Sequence, residues 1–446
     1  MPTAIFTIAR SGLAATRTSL ELTAQNVANA TNPDYARRSL TQSELVMTRT
    51  IGPNSAASLG GVRPGNIERA ESALMQRQAR DAASALAQAE AELAALGDAE
   101  SAIETAGLFQ SLADFEAALS RLEANPLEPA LRITALESAR QVTASFRVAD
   151  SSLANARSLV QGETSAELAK VNELAGELAR INRDIIATRE GTAGRAALLD
   201  ARDKALRGLA EEFAIVPTFN ANGTVDVALA GTPPLALVAG ASAETVSVSF
   251  AADGTASFAA GTSSLVPAGG AMAGRAAALA RMAVLQDDLD GLANTTIALA
   301  NGAQAAGSAA DGSPGQPLFA GTGAGSIAVM LSAPEGLATA PAGAPAGSRD
   351  TANLAAFLAA LAAPGGPAAG VDALLLGLSS EVAATRIRRD GLAVVAESAD
   401  AELLRETGVD LDTEAANLVR LQQAFEANSR VIQVAADIFD TLLGLR

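Results

Sequence analysis

Both ends of this chain carry a seven-residue apolar repeat, the feature that most restricts its fold. Near the start, Phe6, Leu13, Leu20 and Val27 recur at that spacing. Near the finish, Leu411, Leu418, Phe425, Ile432 and Phe439 do the same, with Leu421, Ala435 and Leu442 on the adjoining line. Such a repeat keeps one apolar seam turned toward a partner helix along its whole length. The expected fold is mainly α: a long helical rod or coiled-coil-like bundle drawn from both chain ends. On periodicity alone, an antiparallel helix pair inside a stable monomer and a seam shared in a polymer are equally well supported.

Composition agrees with helix. Hydrophobic residues make up 49% of the 446-residue chain, yet aromatics only 3%, with no tryptophan and a single tyrosine, Tyr35. The apolar content is alanine and leucine, which suits long helices packed at close range. At that length two or more domains are expected. The net charge of −17 argues against nucleic acid, which needs a lysine and arginine footprint. Histidine and cysteine are absent, which removes the usual metal ligands, Ser-His and Cys-His nucleophiles and the neutral-pH proton shuttle. Met1–Arg17 has no secretory-signal pattern, and the most apolar run, Leu354–Ala363, is too short for a bilayer span, so no membrane insertion is expected, and any route out of the cytoplasm is expected to need no cleavable leader.

Along the chain, the first helix ends around Asn29–Thr31 before the Asn32-Pro33 turn. Asn66 can cap a helix ending before Gly97, and a run from Leu108 to Leu122 follows. A helical pattern then runs from Pro129 to about Arg189, with a break expected near Gly162, and another helix holds Leu199 and Leu206. From Phe213 to Val266 the chain reads as short strands, with Asn222-Gly223 and Asp253-Gly254 as hairpin turns. Helix returns near Gly274, again at Thr351–Ala362, and from Val371 to about Thr407. The last helix starts at Gly408 and Asp410, with Asp410 as N-cap and Asp412 and Glu414 in the first turn. The divisions expected are a terminal segment at 1–45, helical rod at 46–212, a small inserted antiparallel β domain at 213–268, helical rod again at 269–406, and a terminal helix at 407–446.

Several features that look functional have plainer readings. Gly321–Ser326 lacks the spacing and lysine of a nucleotide loop and reads as a flexible turn. Asp287, Asp288 and Asp290 lie in a helical pattern, not in a loop that could wrap a cation. Asn29-Ala30-Thr31 fits a glycosylation sequon but reads as a helix end. Tyr35 reads as a packing residue at the joint between terminal helix and rod.

The signature residues narrow the class. Ser11-Gly12-Leu13, Asn26, Asn29 and Pro33-Asp34-Tyr35-Ala36-Arg37-Arg38 resemble the N-terminal signature of flagellar rod, hook and hook-associated proteins, with Asp34 where that family usually has glycine. Leu198-Leu199-Asp200-Ala201-Arg202-Asp203 resembles the Leu-Leu-Asp-x-Arg-Asp helix, and Gly408-Val409-Asp410-Leu411-Asp412 onward to Leu443 is similar to the C-terminal signature, of the hook-associated protein 1 family. Asp311–Phe319 matches that family's glycine-rich turn only loosely. The short Pro/Gly/Ala stretch after it, where larger members carry a second domain, marks a reduced member.

The resemblance implies a polymer subunit of the hook–filament junction, outside the cell, with no catalytic, cofactor or metal site. Its partners are implied to be further copies in a ring-like layer, the hook protein, the second hook-associated protein, and an export chaperone at the C-terminal helix before type III export. The polymer interface is then expected at Phe6, Leu13, Leu20, Val27, Leu411, Leu418, Leu421, Phe425, Ile432, Phe439 and Leu442. The seam is too small by itself to offset the ordering of both ends, so they are expected to be disordered until neighbours cover them. The alternatives are another axial flagellar protein or, from other classes, a filament subunit bearing an enzyme or an adhesin in its β segment.

Overall fold

The computed structural model describes residues 2–45, 60–231 and 233–444. Nine α-helices are found among them: α1 (Pro2–Ala28), α2 (Ala73–Thr105), α3 (Leu108–Ala124), α4 (Pro129–Ala187), α5 (Ala193–Glu212), α6 (Ala271–Ala305), α7 (Ala352–Leu361), α8 (Pro367–Thr407) and α9 (Leu411–Gly444). The fold is mainly α, with a few small antiparallel sheets. The chain divides into two compact units, each assembled from separated stretches.

The first unit takes Met1–Ala85, Lys170–Val246 and Ala393–Arg446. It holds a hairpin of β1 (Arg38–Glu44) and β2 (Val62–Arg69), where the sequence reading had no strands: it placed the first stretch in the terminal segment and the second in the helical rod. Pro64 and Gly65 obscure the strand pattern there. The register slips between Leu40 and Gln42, and at the slip the Thr41 hydroxyl donates to the Asn66 carbonyl at 2.9 Å and accepts from its N–H at 2.8 Å. Asn66 is therefore a strand residue and not the cap of α2. Ser72 stands at that helix start, its carbonyl accepting from the Gln76 N–H at 2.9 Å. Two further breaks expected from glycine do not occur, because α2 runs through Gly97 and α4 through Gly162. A glycine inside a helix costs only about 1 kcal/mol, which packing on either side offsets.

Strands appear where Asn222-Gly223 and Asp253-Gly254 mark them, and both glycines have left-handed φ, 85° and 89°. They make two sheets. β3 (Ile215–Phe219), β4 (Val225–Leu229), β5 (Leu235–Ala239) and β6 (Ser242–Ala243) form a four-stranded meander in the first unit. β7 (Val246–Phe250), β8 (Ala256–Ala260) and β9 (Ser263–Leu265) form a three-stranded sheet that, Val246 apart, lies in the second unit. Val225, Val227 and Leu229 alternate inward on β4, the period expected of a half-buried strand. The Asn182 amide on α4 ties the sheet down: it donates to the Val225 carbonyl at 2.8 Å and the Gly240 carbonyl at 2.7 Å, and accepts from the Val225 N–H at 3.0 Å.

The second unit, Leu86–Ala169 and Ser247–Leu392, holds the larger core. Phe115 on α3 is fully buried and meets Phe319 and Phe357 edge-to-face, each at 6.2 Å, so three of the few aromatic rings are spent on one point. Elsewhere helices approach through small residues. A Cβ on Gly274 of α6 would stand 2.2 Å from the Gln88 carbonyl of α2, so only glycine permits that crossing. The glycine-rich turn at 321–326 is held in place, with Asp290 accepting from the Ala324 N–H at 2.7 Å.

Arg132 organises the loop before α7. Its guanidinium is buried and donates to the carbonyls of Pro126 at 2.6 Å and Leu337 at 2.8 Å, and to the Thr339 hydroxyl at 3.0 Å. Burial pulls its pKa down, and Glu335 partly offsets this. The helical run Pro367–Thr441 contains a window apolar enough, by length and composition, to cross a membrane, against the sequence reading; 22% of that window is buried. Its alanine and leucine content produces this signal as readily as a bilayer span does.

Arg132→Met strands these buried carbonyls while keeping the side-chain length. It should lower unfolding free energy by about 3 kcal/mol in denaturant titration; a loss under about 1 kcal/mol would show that the loop does not depend on it.

Candidate functional site

The two ends of the chain meet. Gly12 of α1 faces Asn428 of α9, where an added Cβ would stand 2.8 Å from the Asn428 side-chain oxygen. Further along, the Asn26 amide donates to the Glu414 carboxylate at 3.1 Å. Numbering rises on α1 as it falls on α9 over the same interval, so the pair is antiparallel with one fixed register.

Along α9 the side turned to α1 runs through Glu414, Leu418, Leu421, Phe425, Asn428, Ile432 and Ala435, all buried or half-buried. On α1 the buried line is Ala9, Ala15, Thr16, Leu22, Thr23 and Asn26. It is not the line expected from the apolar repeat: Phe6 and Val27 are exposed and Leu13 and Leu20 are half-buried. Small residues win the seam because they admit the larger α9 side chains; the register sets Ala15 level with Phe425 and Leu22 level with Leu418. Leu411 and Phe439 are exposed at 52% and 49%, and the Leu442 side chain lies outside the described residues.

At the inner end of this pair the signature residues converge on Asn26, which is 1% exposed. Its amide nitrogen donates to the Arg38 carbonyl at 2.9 Å and to Glu414. Its oxygen accepts from the Tyr35 hydroxyl at 2.8 Å and from the Arg38 N–H at 3.1 Å. The full bonding capacity of the amide is used. One side chain thus joins α1, the segment after it, the start of β1 and the start of α9.

A second tier rests on Asp200 and Asp203 of α5. Asp200 accepts from Arg38 at 2.7 Å and from Arg69 at 2.6 Å. Asp203 accepts from Arg69 at 2.6 Å, from Gln76 at 2.8 Å and from Arg202 at 2.9 and 3.0 Å. Arg38 lies 4.7 Å above the Tyr35 ring and Arg202 lies 4.9 Å above that of Phe219, stacking that suits a planar guanidinium. All four carboxylate oxygens are engaged, so the cluster is arranged to hold elements together and presents no free acid or base. Burial draws the Arg69 pKa down, but Asp203 and Asp200 outweigh it and leave the guanidinium more firmly protonated than usual.

The remaining signature residues close the joint. The Ser11 hydroxyl accepts from the Val62 N–H at 3.1 Å, docking β2 on α1. Asn29 donates to the Gln25 carbonyl at 2.8 Å and ends α1. Asp34, where glycine is usual, has no left-handed backbone to accommodate, since no described residue other than glycine has positive φ; its carboxylate pairs with Lys204 at 3.1 Å. Arg37 contributes its backbone, donating to the Thr407 carbonyl at 2.8 Å, while its side chain is exposed. Arg38 is the arginine that clamps. A Cβ on Gly408 would meet the Leu404 carbonyl at 2.3 Å. Asp410 caps α9, accepting from the Thr413 N–H at 2.8 Å; that bond holds its carboxyl below the usual range. Sequence reasoning missed Arg69 and Gln76, which carry no motif around them. It named Glu414 only as a first-turn acid, though Glu414 is the α9 anchor for Asn26.

Tyr35 titrates above its ordinary value because burial disfavours the phenolate, with Arg38 opposing and Asp200 and Glu414 adding. A raised folded pKa gives stability that is fully present below the unfolded value near 10 and is lost as pH climbs through the folded one. As the chain has one tyrosine and no tryptophan, ultraviolet titration of the native chain should give one phenolate midpoint above 10, with stability falling over the same range; a midpoint at the free-tyrosine value would mean an open joint.

Two family models match the chain. The flagellar hook-associated protein FlgK helical domain covers residues 93–319, and the C-terminal domain of the flagellar basal body rod FlgEFG proteins covers residues 402–445. Flagellar hook-associated protein 1 of Bacillus subtilis (strain 168) is 24% identical over 222 residues, 48% of this chain and 44% of that protein. The match thus spans under half the length of that relative. The flagellar hook junction protein FlgK from Burkholderia pseudomallei is 21% identical with a TM-score of 0.49, covering 55% of this chain and 46% of that one. With the helical-domain model matching half of its length, the chain belongs to the FlgK family of flagellar hook-associated proteins.

Proposed function

We propose that the chain is a structural subunit of the hook–filament junction, exported through the flagellar type III apparatus and polymerising through its terminal helices. The observation that carries this is the α1–α9 pair. It leaves Ile5, Phe6, Ile8 and Val27 on α1, and Leu411, Val419, Val431, Val434, Ile438 and Phe439 on α9, exposed. That much apolar surface on two adjoining helices calls for cover by other subunits. Of the expected interface line on α1, the exposed Phe6 and Val27 are in this reading the residues that neighbours cover, while Leu418, Leu421, Phe425 and Ile432 serve the pair itself.

In this reading, residues 1–45 and 407–446 form the axial segments of a ring-like layer, between the hook protein and the second hook-associated protein. A chaperone covers α9 before export. The clamp around Asn26, Asp200 and Asp203 carries load from the axial helices into the body of the subunit, which is a mechanical role, not a catalytic one. The match of 402–445 to rod proteins supports an axial terminal helix shared across the wider group.

Deleting the gene in its host should leave bare hooks by electron microscopy, with filament protein lost to the medium. Normal filaments would remove the junction role. With so much of the outer pair uncovered, amides at 5–18 of α1 and 422–440 of α9 should exchange within seconds in a dilute monomer and slow by at least about a hundredfold in isolated flagella. Strong protection in the monomer would mean that the pair is finished without neighbours.

A further inference from the structure

Beside Tyr35 the first unit holds a pocket of about 40 Å³ between the turn after α1, α2, α5 and the end of α8. Four cations line it, Arg69, Arg80, Lys204 and Arg207, against two carboxylates, Asp34 and Asp203. Both carboxylates are committed. Asp203 is held by Arg69, Arg202 and Gln76, and Asp34 faces Lys204 at 3.1 Å and Arg207 at 3.7 Å.

That leaves Arg80. The residue is 7% exposed, and among the described residues no carboxylate lies within ion-pair distance of its guanidinium; the Phe219 ring stands 6.0 Å away. Burial draws its pKa down, and Arg202 and Arg207 oppose the partial support from Asp203 and Asp81. A cation taken from water without a counter-charge is costly. The pocket holds several times the ~10–15 Å³ that one water requires, enough for a carboxylate head.

We propose that this pocket receives a carboxylate from a second copy of the chain, with Arg80 as the anchor and Lys204 and Arg207 at the mouth. This rests on the reading that the chain assembles with itself. Charge favours that partner: the chain has 49 acids against 32 lysines and arginines, so a second copy presents mostly carboxylates. Leu404 lines the pocket and is 46% exposed, so an acid beside apolar side chains fits its rim. The exposed run Asp437, Ile438, Phe439, Asp440 at the end of α9 has that pattern.

The chain has only two lysines, Lys170 and Lys204, and the Lys204 side chain is 69% exposed. Flagella isolated from the host and treated with a zero-length carbodiimide should yield a dimer-sized product in which the Lys204 amine is joined to a carboxylate of a second copy. The product should vanish in Lys204→Arg. Arg80→Glu should cut incorporation into flagella at least about tenfold while Arg80→Lys keeps it within about twofold, circular dichroism establishing that each purified variant is folded. Coupling of Lys204 only to Asp34 of its own chain, coupling to a different protein, or wild-type incorporation of Arg80→Glu would each overturn the proposal. Absence of the wild-type chain from isolated flagella would instead sink the junction reading.

Discussion

The first unit depends on a single saturated amide. Asn26 has two donors and an oxygen that accepts twice, and these reach three separate places: the Arg38 backbone twice, the Tyr35 hydroxyl and the Glu414 carboxylate. An apolar residue there would leave the Arg38 backbone and Glu414 without partners in a buried place, where an unpaired polar group costs more than a made bond returns. That asymmetry makes the arrangement specific. The hairpin and both terminal helices can take one relative position, because any other leaves buried polar atoms bare. The Asp200–Asp203 tier extends this through guanidinium forks whose planar geometry fixes direction as well as distance.

The second unit is held by a different physics. Its core is mostly alanine and leucine, with Phe115, Phe319 and Phe357 clustered at one point, and at the crossing of α2 and α6 there is no side chain at all, at Gly274. Packing of this kind is non-directional and tolerant of small shifts. Polar side chains such as Arg132, Gln304 and Asp290 sit where loops without regular hydrogen bonding must be tied down. Directional bonding is concentrated where chain ends join the body, and apolar packing where the body only has to be stiff.

How much of this could be read from residues alone follows the same divide. Long helices, the entry to α9 at Asp410 and the two Gly-marked hairpin turns were legible because their causes are local: period, cap and turn chemistry. The β1–β2 hairpin was not, since its pairing depends on Thr41 and Asn66 meeting across a slipped register. The motifs showed that Asn26, Tyr35 and Asp200 matter. That Arg69 and Glu414 complete their shell depends on the tertiary arrangement, because a guanidinium carries no marker of its distant partner. The α1 seam was misjudged for a related reason. Counting large apolar residues finds the face that wants cover, but the face that pairs is the one whose small residues let α9 come near.

The bond from Asn26 to Glu414 spans 388 residues of chain. Closing so large a loop has no local nucleus to help it, so this contact forms after the helices and hairpins around it and not before. In the export proposed above, a chain drawn out in order through a narrow passage would carry its two halves of the clasp separately. Each half is inert without the other, which delays the finished shape until both have arrived at the same place.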